Sequence, residues 1–135
     1  MKTVAVLLFL ALAACTKQED DDRQETIRQY RDDCIAETKV DPALIDRADN
    51  GDFTDDAKLQ CFSKCFYQKA GFVSETGDLL FDVIKDKIPK EANREKALAI
   101  IDKCKELKGA DSCETVYLVH KCYFLHSYGT DKKTE

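Results

Sequence analysis

The chain has 135 residues, and its 26 acidic and 21 basic side chains give a formal net charge of −5. An acidic chain lacks the positive surface that neutralises phosphates, which argues against nucleic acid as a partner. The length fits one domain after removal of a short N-terminal leader.

The N-terminus has the pattern of a secretory signal peptide. Lys2 precedes an apolar run, residues 4–14, which is too short to span a bilayer and is closed by small residues. We predict that residues 1–15 are cleaved and that residues 16–135 form a helical domain. The alternative is a bacterial lipoprotein box, which would leave Cys15 lipidated. No later apolar run is long enough for a membrane span, so we predict a secreted, extracellular protein.

Apolar residues at helical spacing predict six helices, and no stretch alternates as a half-buried strand does. The acidic segment 16–22 precedes them and is predicted to be a frayed terminus. The fold class is therefore predicted to be all-α, with one compact six-helix domain. The predicted helices span, in order, residues 24–39, 42–48, 55–70, 78–87, 91–108 and a last stretch between Asp111 and Gly129.

Several helix ends carry capping residues. Asp41 is predicted to be the N-cap of the second helix, with Pro42 at its first position. Thr54 is predicted to cap the third helix, and Gly71 to end it. Pro89 prevents the fourth helix from continuing.

The last helix is predicted to be the centre of the fold. Asp111 with Glu114 forms a capping box at its start. Cys113 and Cys122 are nine residues apart, which places them on opposite faces and about 13 Å apart along the axis. They cannot bond each other, so each must reach a different neighbour. Hardly any face of this helix is polar, so other helices should surround it.

The cysteines predict a disulfide framework. Cleavage at Cys15 leaves six of the seven cysteines, and an even number in a secreted chain implies three disulfides. Cys61 and Cys65 lie one helical turn apart with parallel directions, so they cannot pair, and neither can Cys113 and Cys122. Of fifteen possible connectivities, ten remain open.

The cysteine pattern resembles that of a known family. The spacing is Cys34-x26-Cys61-x3-Cys65-x38-Cys104-x8-Cys113-x8-Cys122. Behind a signal peptide in an acidic helical chain, it is similar to that of the insect odorant-binding proteins, the general odorant- and pheromone-binding proteins. The x3 and final x8 spacings are the family's signature. The segments 56–66 and 69–72 resemble it as well, and the resemblance covers essentially all of residues 16–135.

The resemblance implies a fold, a pairing and a function. It implies six helices that enclose an apolar cavity, with three interlocked disulfides: Cys34–Cys65, Cys61–Cys113 and Cys104–Cys122. It further implies a carrier that solubilises odorants, pheromones or similar semiochemicals and delivers them to an odorant receptor. The tail after Cys122 departs from the long apolar tails of moth pheromone carriers. It is short and polar, so insertion of the tail into the cavity is not expected.

Apolar residues on helices that must face one another are the candidate pocket residues. A ligand of ten to fifteen carbons would bind them at roughly micromolar Kd, near −8 kcal/mol. Tyr117, His120 and Tyr123 can also hydrogen-bond a ligand oxygen. The candidates are Phe62, Phe66, Leu80, Phe81, Ile84, Leu98, Ile101, Val116, Tyr117, His120, Tyr123 and Phe124.

Protonation of His120 is a hypothesis for ligand release at acidic pH, because its ordinary pKa is near 6.5. No catalytic motif accompanies either histidine, so we predict no enzyme, no cofactor and no metal. The predicted partner is a small hydrophobic molecule, and the protein is expected to be a monomer or weak homodimer. Two alternatives remain. One is a salivary or haemolymph scavenger of amines or lipids, and the other is a secreted signalling or defence protein that acts through its surface.

Overall fold

A computed structural model describes the backbone of residues 2–128 and the side chains of residues 20–127. The predicted all-α fold is confirmed, and the one β feature in this part of the chain is an isolated antiparallel bridge between Val73 and Leu79. The helices are α1 (Lys2–Thr38), α2 (Pro42–Asp49), α3 (Ala57–Lys69), α4 (Phe81–Asp86), α5 (Arg94–Cys104) and α6 (Ser112–Tyr128). The side chains of the predicted signal peptide and the polar tail 129–135 lie outside the described residues.

The chain divides into two compact units, Met1–Asp33 and Cys34–Glu135. The first unit contains α1 up to Asp33, and the last residues of this helix belong to the second unit. α1 begins at Lys2 and not near the predicted Gln24. The segment 16–22, predicted to be frayed, is therefore helical. The Leu- and Ala-rich leader and the following Gln and Glu residues are good helix formers, which accounts for the longer helix.

The second unit begins with two capped helices. Asp41 caps α2 as predicted, because its carboxylate accepts a hydrogen bond from the Ala43 N–H. The predicted cap of α3 is wrong, since Asp56 and not Thr54 accepts from the Leu59 N–H at 2.9 Å. Asp and Thr both suit an N-cap. The backbone stays extended at Asp56, which delays the start of the helix.

Gly71 ends α3 as predicted. Its φ of +85° lies in the left-handed region, where glycine has no Cβ penalty. The Gly71 N–H donates to the Gln68 carbonyl, and the Phe72 N–H donates to the Tyr67 carbonyl. These two bonds form a Schellman motif, which reverses the chain tightly. Tyr67 and Phe72 are thereby brought to the same side of the turn, with ring centroids 6.0 Å apart.

The next two helices are shorter than predicted. Leu79 forms the bridge to Val73, so α4 cannot start at residue 78 and begins at Phe81. Asn93 caps α5 by accepting from the Lys96 N–H, so that helix starts at Arg94. It ends at Cys104, after which the chain turns back to begin α6 at Ser112.

The last helix occupies the centre of the second unit. Asp111 accepts from the Glu114 N–H at 2.8 Å, as the predicted cap requires. α6 packs against α3 and α5 and is joined to them by Cys61–Cys113 and Cys104–Cys122. Together with Cys34–Cys65, these are the pairs that the family resemblance implies. In the loop-entropy model, each bridge stabilises the fold by about 3 to 4 kcal/mol.

A hydrophobic core fills the space between the end of α1, α2, α3 and α6. Ile35, Leu44, Phe53 and Phe66 pack against it as partly buried residues. The buried members of this cluster are Cys34, Val40, Ile45, Ala48, Leu59, Phe62, Cys65 and Tyr117. This core leaves the opposite side of α6 free to face a cavity.

Candidate functional site

A partly open cavity of about 210 Å³ lies beside α6 in the second unit. Its surface is predominantly apolar, and one cysteine of the Cys104–Cys122 bridge forms part of it. The wall consists of Tyr67, Phe72, Leu79, Phe81, Ile84, Lys87, Ile88, Pro89, Ile101, Cys104, Val119, His120 and Tyr123. At about 30 Å³ for a water-sized group, the volume holds about seven such groups.

Four segments build this wall. The end of α3 supplies Tyr67 and the turn after it supplies Phe72, and α5 supplies Ile101 and Cys104 from one helical face. α6 supplies Val119, His120 and Tyr123 from its side opposite the core. The segment 79–89 contributes six of the thirteen wall residues, more than any other.

The segment 79–89 is anchored by few polar contacts. The Leu80 N–H donates to the Phe72 carbonyl at 2.8 Å. The Lys85 ammonium lies 3.5 Å from a carboxylate oxygen of Asp102 on α5. The Arg94 guanidinium donates to the Lys85 carbonyl at 3.1 Å. None of the residues of α4 itself is buried, so this side of the cavity is thin.

Tyr67 and His120 form the polar pair of the wall. The Tyr67 hydroxyl oxygen lies 2.5 Å from Nδ1 of His120, and the two rings meet edge to face. Burial raises the pKa of Tyr67 well above its usual range, and the nearby Tyr123 raises it further. Burial also lowers the pKa of His120 from its ordinary 6.5, so the imidazole is neutral at pH 7.

The pair keeps one hydrogen-bond donor for a ligand. A neutral tyrosine and a neutral histidine carry two polar hydrogens between them, and their mutual bond uses one. The remaining donor is either Nε2–H of His120 or the Tyr67 hydroxyl, depending on the tautomer. Within residues 20–127, Nε2 has no hydrogen-bond partner and is not sealed from a water-sized molecule. A ligand oxygen that accepts a hydrogen bond therefore suits this wall.

The charge of the wall is positive. Lys87 is the one ionised side chain among the described residues that form it, and no carboxylate is present there. Lys87 is exposed and directly follows α4, so it lies at the rim. Its methylene groups can cover apolar surface while the ammonium stays in water. The wall thus offers hydrogen-bond donors and a cation, but no anion.

Five of the predicted pocket residues lie in this wall: Phe81, Ile84, Ile101, His120 and Tyr123. The other seven do not. Phe62, Phe66 and Tyr117 belong to the core on the other side of α6. Phe62 and Phe66 are four residues apart and share that face of α3, whereas Tyr67, one residue later, faces the cavity.

Tyr117 is held in the core by its hydroxyl, which donates to the Thr54 carbonyl at 2.7 Å. Burial, with the acidic side chains Asp55, Asp56 and Asp52 nearby, raises the pKa of Tyr117 to about 12. The phenol therefore stays protonated and serves the structure at physiological pH.

The remaining four predicted residues miss the cavity for local reasons. Leu80 is 37% exposed, because it follows Leu79 in extended backbone and points to the opposite side. Leu98 lies off the row of α5 that includes Ile101. Val116 is fully buried one turn before the wall residues of α6. Phe124 packs edge to face on the Phe53 ring, with centroids 5.3 Å apart.

Sequence reasoning missed several wall residues. Val119 carries a usable signal, because it lies four residues before Tyr123 on the same face of α6. Pro89 is predicted only as the residue that stops the fourth helix. Other residues depend on turns that the sequence does not specify, and the full set is Tyr67, Phe72, Leu79, Lys87, Ile88, Pro89 and Val119.

One group of potential metal ligands occurs among the described residues. Sγ of Cys104, Sγ of Cys122 and a ring nitrogen of His126 lie within 4.8 Å of one another. Both sulfurs belong to one disulfide. Zinc binds thiolates, and disulfide sulfurs carry no such charge. The group therefore does not fit a metal.

The PBP/GOBP family model matches residues 16–126 of this chain. The chain belongs to this family. The resemblance to insect odorant-binding proteins that the cysteine spacing suggested is thus confirmed. Relatives in the family bind hydrophobic ligands as carriers, and the apolar cavity agrees with that common property.

Two insect relatives match most of the chain. General odorant-binding protein 56a of Drosophila melanogaster is 27% identical over 118 residues, which are 86% of this chain and 84% of the relative. The B1 protein of Tenebrio molitor is 29% identical over 119 residues, 87% of this chain and 88% of that protein.

Solved structures have the same fold. The fatty acid binding protein OBP56a from the oral disk of the blowfly Phormia regina has a TM-score of 0.64 and 27% identity, covering 78% of this chain and 92% of that one. Odorant binding protein 4 of the predator Chrysopa pallens has a TM-score of 0.66 and 27% identity, covering 78% of this chain and 90% of that one.

In the described residues, we find no helix with the length and apolarity that crossing a bilayer requires.

Proposed function

We propose that this protein is a secreted carrier of small apolar molecules that bind in the cavity beside α6 and are delivered to membrane receptors. The observation that best supports this proposal is the apolar wall with a neutral Tyr67–His120 pair, which keeps one hydrogen-bond donor for a ligand oxygen. Such a site holds an alcohol, aldehyde, ester or acid by its chain and orients it by its oxygen.

The wall chemistry argues against an amine scavenger. A buried ammonium is held most strongly by a carboxylate that replaces its water, and the described wall contains none. In the part of the wall that the structure describes, the only charge is the Lys87 ammonium, which repels a second cation. The fatty acid named for the blowfly relative supports an uncharged or acidic ligand for this chain as well.

The extracellular location is part of the proposal. It rests on the signal peptide predicted at residues 1–15 and on the three disulfides, which persist in oxidising compartments. Expression of the full chain in insect cells should give a protein in the medium whose N-terminus, read by mass spectrometry, lies at or within a few residues of position 16. Retention of the leader in a cell-bound product would contradict this.

Competition with an apolar fluorescent probe tests the carrier function. The disulfide-bonded protein should bind the probe, and straight-chain alcohols, aldehydes and acids should displace it at about micromolar concentration. Amines of the same chain length should compete more weakly. Failure of every neutral and acidic ligand to displace the probe would refute the carrier function. A specific protein partner without any ligand would then favour the surface-acting alternative.

A further inference from the structure

Lys87 is the lysine of the cavity wall and, unlike Lys85 and Lys105, it has no ion-pair partner in the described residues. Lys85, two residues earlier, reaches the Asp102 carboxylate at 3.5 Å, and Lys105 reaches the same group at 3.3 Å. Lys87 contributes to the cavity wall and to no ion pair among residues 20–127. An uncompensated cation therefore stands at the rim of an apolar cavity.

The surroundings of Lys87 are apolar on the cavity side. Ile84, one turn before it, and Ile88 and Pro89, which follow it, all form part of the same wall. Beyond the rim the side chain is exposed to water. The position therefore combines a place for hydrocarbon with a charge at the water boundary, which is the division found within an amphiphile.

We propose that the preferred ligands are amphiphiles with a carboxylate, whose head group pairs with the Lys87 ammonium while the hydrocarbon chain enters the cavity. This inference rests on the proposed carrier function and names its ligand class. With the head group at the rim, the carboxylate keeps much of its hydration and gains an opposite charge. A carboxylate deep in the cavity would lose its water, which is far more costly.

The Tyr67–His120 pair does not replace Lys87 in this role. It offers one neutral donor, which serves an alcohol or aldehyde as well as an acid. Only Lys87 distinguishes an anion from a neutral oxygen, since it is the one charged wall residue in the described structure. The preference for an acid over a neutral ligand and the affinity for the hydrocarbon part of the ligand are thus assigned to different residues. The two can be separated by substitution.

The test compares three ligands of equal chain length, namely decanoic acid, decanol and decylamine, by probe displacement at pH 7.5. The wild-type protein should bind the acid about two- to fivefold more tightly than the alcohol, as expected for a solvent-exposed ion pair. Decylamine should bind most weakly. Added salt should reduce the affinity for the acid and leave that for the alcohol unchanged.

Lys87→Gln keeps a polar side chain of similar reach and removes the charge. In this variant the acid should lose its two- to fivefold advantage over the alcohol, because the acid loses affinity and the alcohol, which has no charge to pair, loses less. Lys90→Gln, a nearby exposed lysine outside the wall, is the matched control and should keep the acid preference. Circular dichroism and thermal unfolding of both variants should match those of the wild type.

The outcomes separate this inference from the proposed function. If acid and alcohol bind the wild type equally, or if Lys87→Gln keeps the acid preference, the role of Lys87 is refuted while the carrier function stands. If none of the three ligands displaces the probe from the folded wild type, both are refuted. If Lys90→Gln loses the preference as well, the effect comes from overall charge and the assignment to Lys87 fails.

Discussion

The volume of the cavity sets a limit on how much ligand it can bury. The cavity measures about 210 Å³. It therefore accepts about seven methylene-sized groups, and further carbons of a straight chain must lie at its open side. Each buried CH₂ contributes about 0.8 kcal/mol, which corresponds to about a fourfold change in Kd. The affinity of straight-chain alcohols should rise by about this factor per carbon for short chains and then level off.

Probe displacement with the alcohols from pentanol to tetradecanol measures this dependence directly. The slope should fall well below fourfold per carbon once about seven to nine carbons are present. Ile84→Ala removes three carbon atoms from the wall and should move the break to longer chains. A slope that continues unchanged to tetradecanol would refute a cavity of this fixed size. A flat response among the short alcohols would refute burial of the chain.

Three further predictions concern the wall itself. Tyr67→Phe leaves Nδ1 of His120 without its partner, so urea unfolding should show a loss of about 1–3 kcal/mol in the free energy of unfolding. Tyr123→Phe is the control and should lose less, because the Tyr123 hydroxyl has no hydrogen-bond partner in the described residues. Because folding lowers the pKa of His120, the unfolded state binds more protons, and the free energy of unfolding should fall as pH drops below about 6.5. Unfolding curves of His120→Gln from pH 8 to pH 5 should lack the part of this pH dependence that His120 causes. Replacing both Cys104 and Cys122 by Ser opens a loop with a sequence separation of 18, which should cost about 3 kcal/mol in the free energy of unfolding and also weaken probe binding; unchanged values would contradict the structural role of this bridge.

Local chemistry made much of the fold predictable. The Asp41-Pro42 pair places the start of α2, and Gly71 places the end of α3, because each residue satisfies a specific backbone requirement. The positions of Cys113 and Cys122 on one helix required two different neighbours, and α3 and α5 are those neighbours. The pairing itself came from the family resemblance, since geometry alone left ten connectivities.

The cavity wall was less predictable, because it depends on which side of each helix faces the core. Phe62 and Tyr67 both lie on α3, yet one is in the core and the other in the wall. Helical periodicity identifies an apolar face but does not say whether a packed neighbour or empty space lies opposite it. Leu79 and Leu80 differ for another reason, since a single bridge to Val73 decides which of them points inward.

The central claim is that ligands bind inside the cavity beside α6. Ile84→Trp places an indole ring in the cavity wall, where it fills space that a ligand would occupy. Leu80→Trp places the same ring at an exposed position of the same segment. The decisive measurement is probe binding by both variants, with circular dichroism to check that each is folded. The account predicts that Ile84→Trp loses at least tenfold in affinity and that Leu80→Trp binds like the wild type. Wild-type affinity in folded Ile84→Trp would contradict the claim.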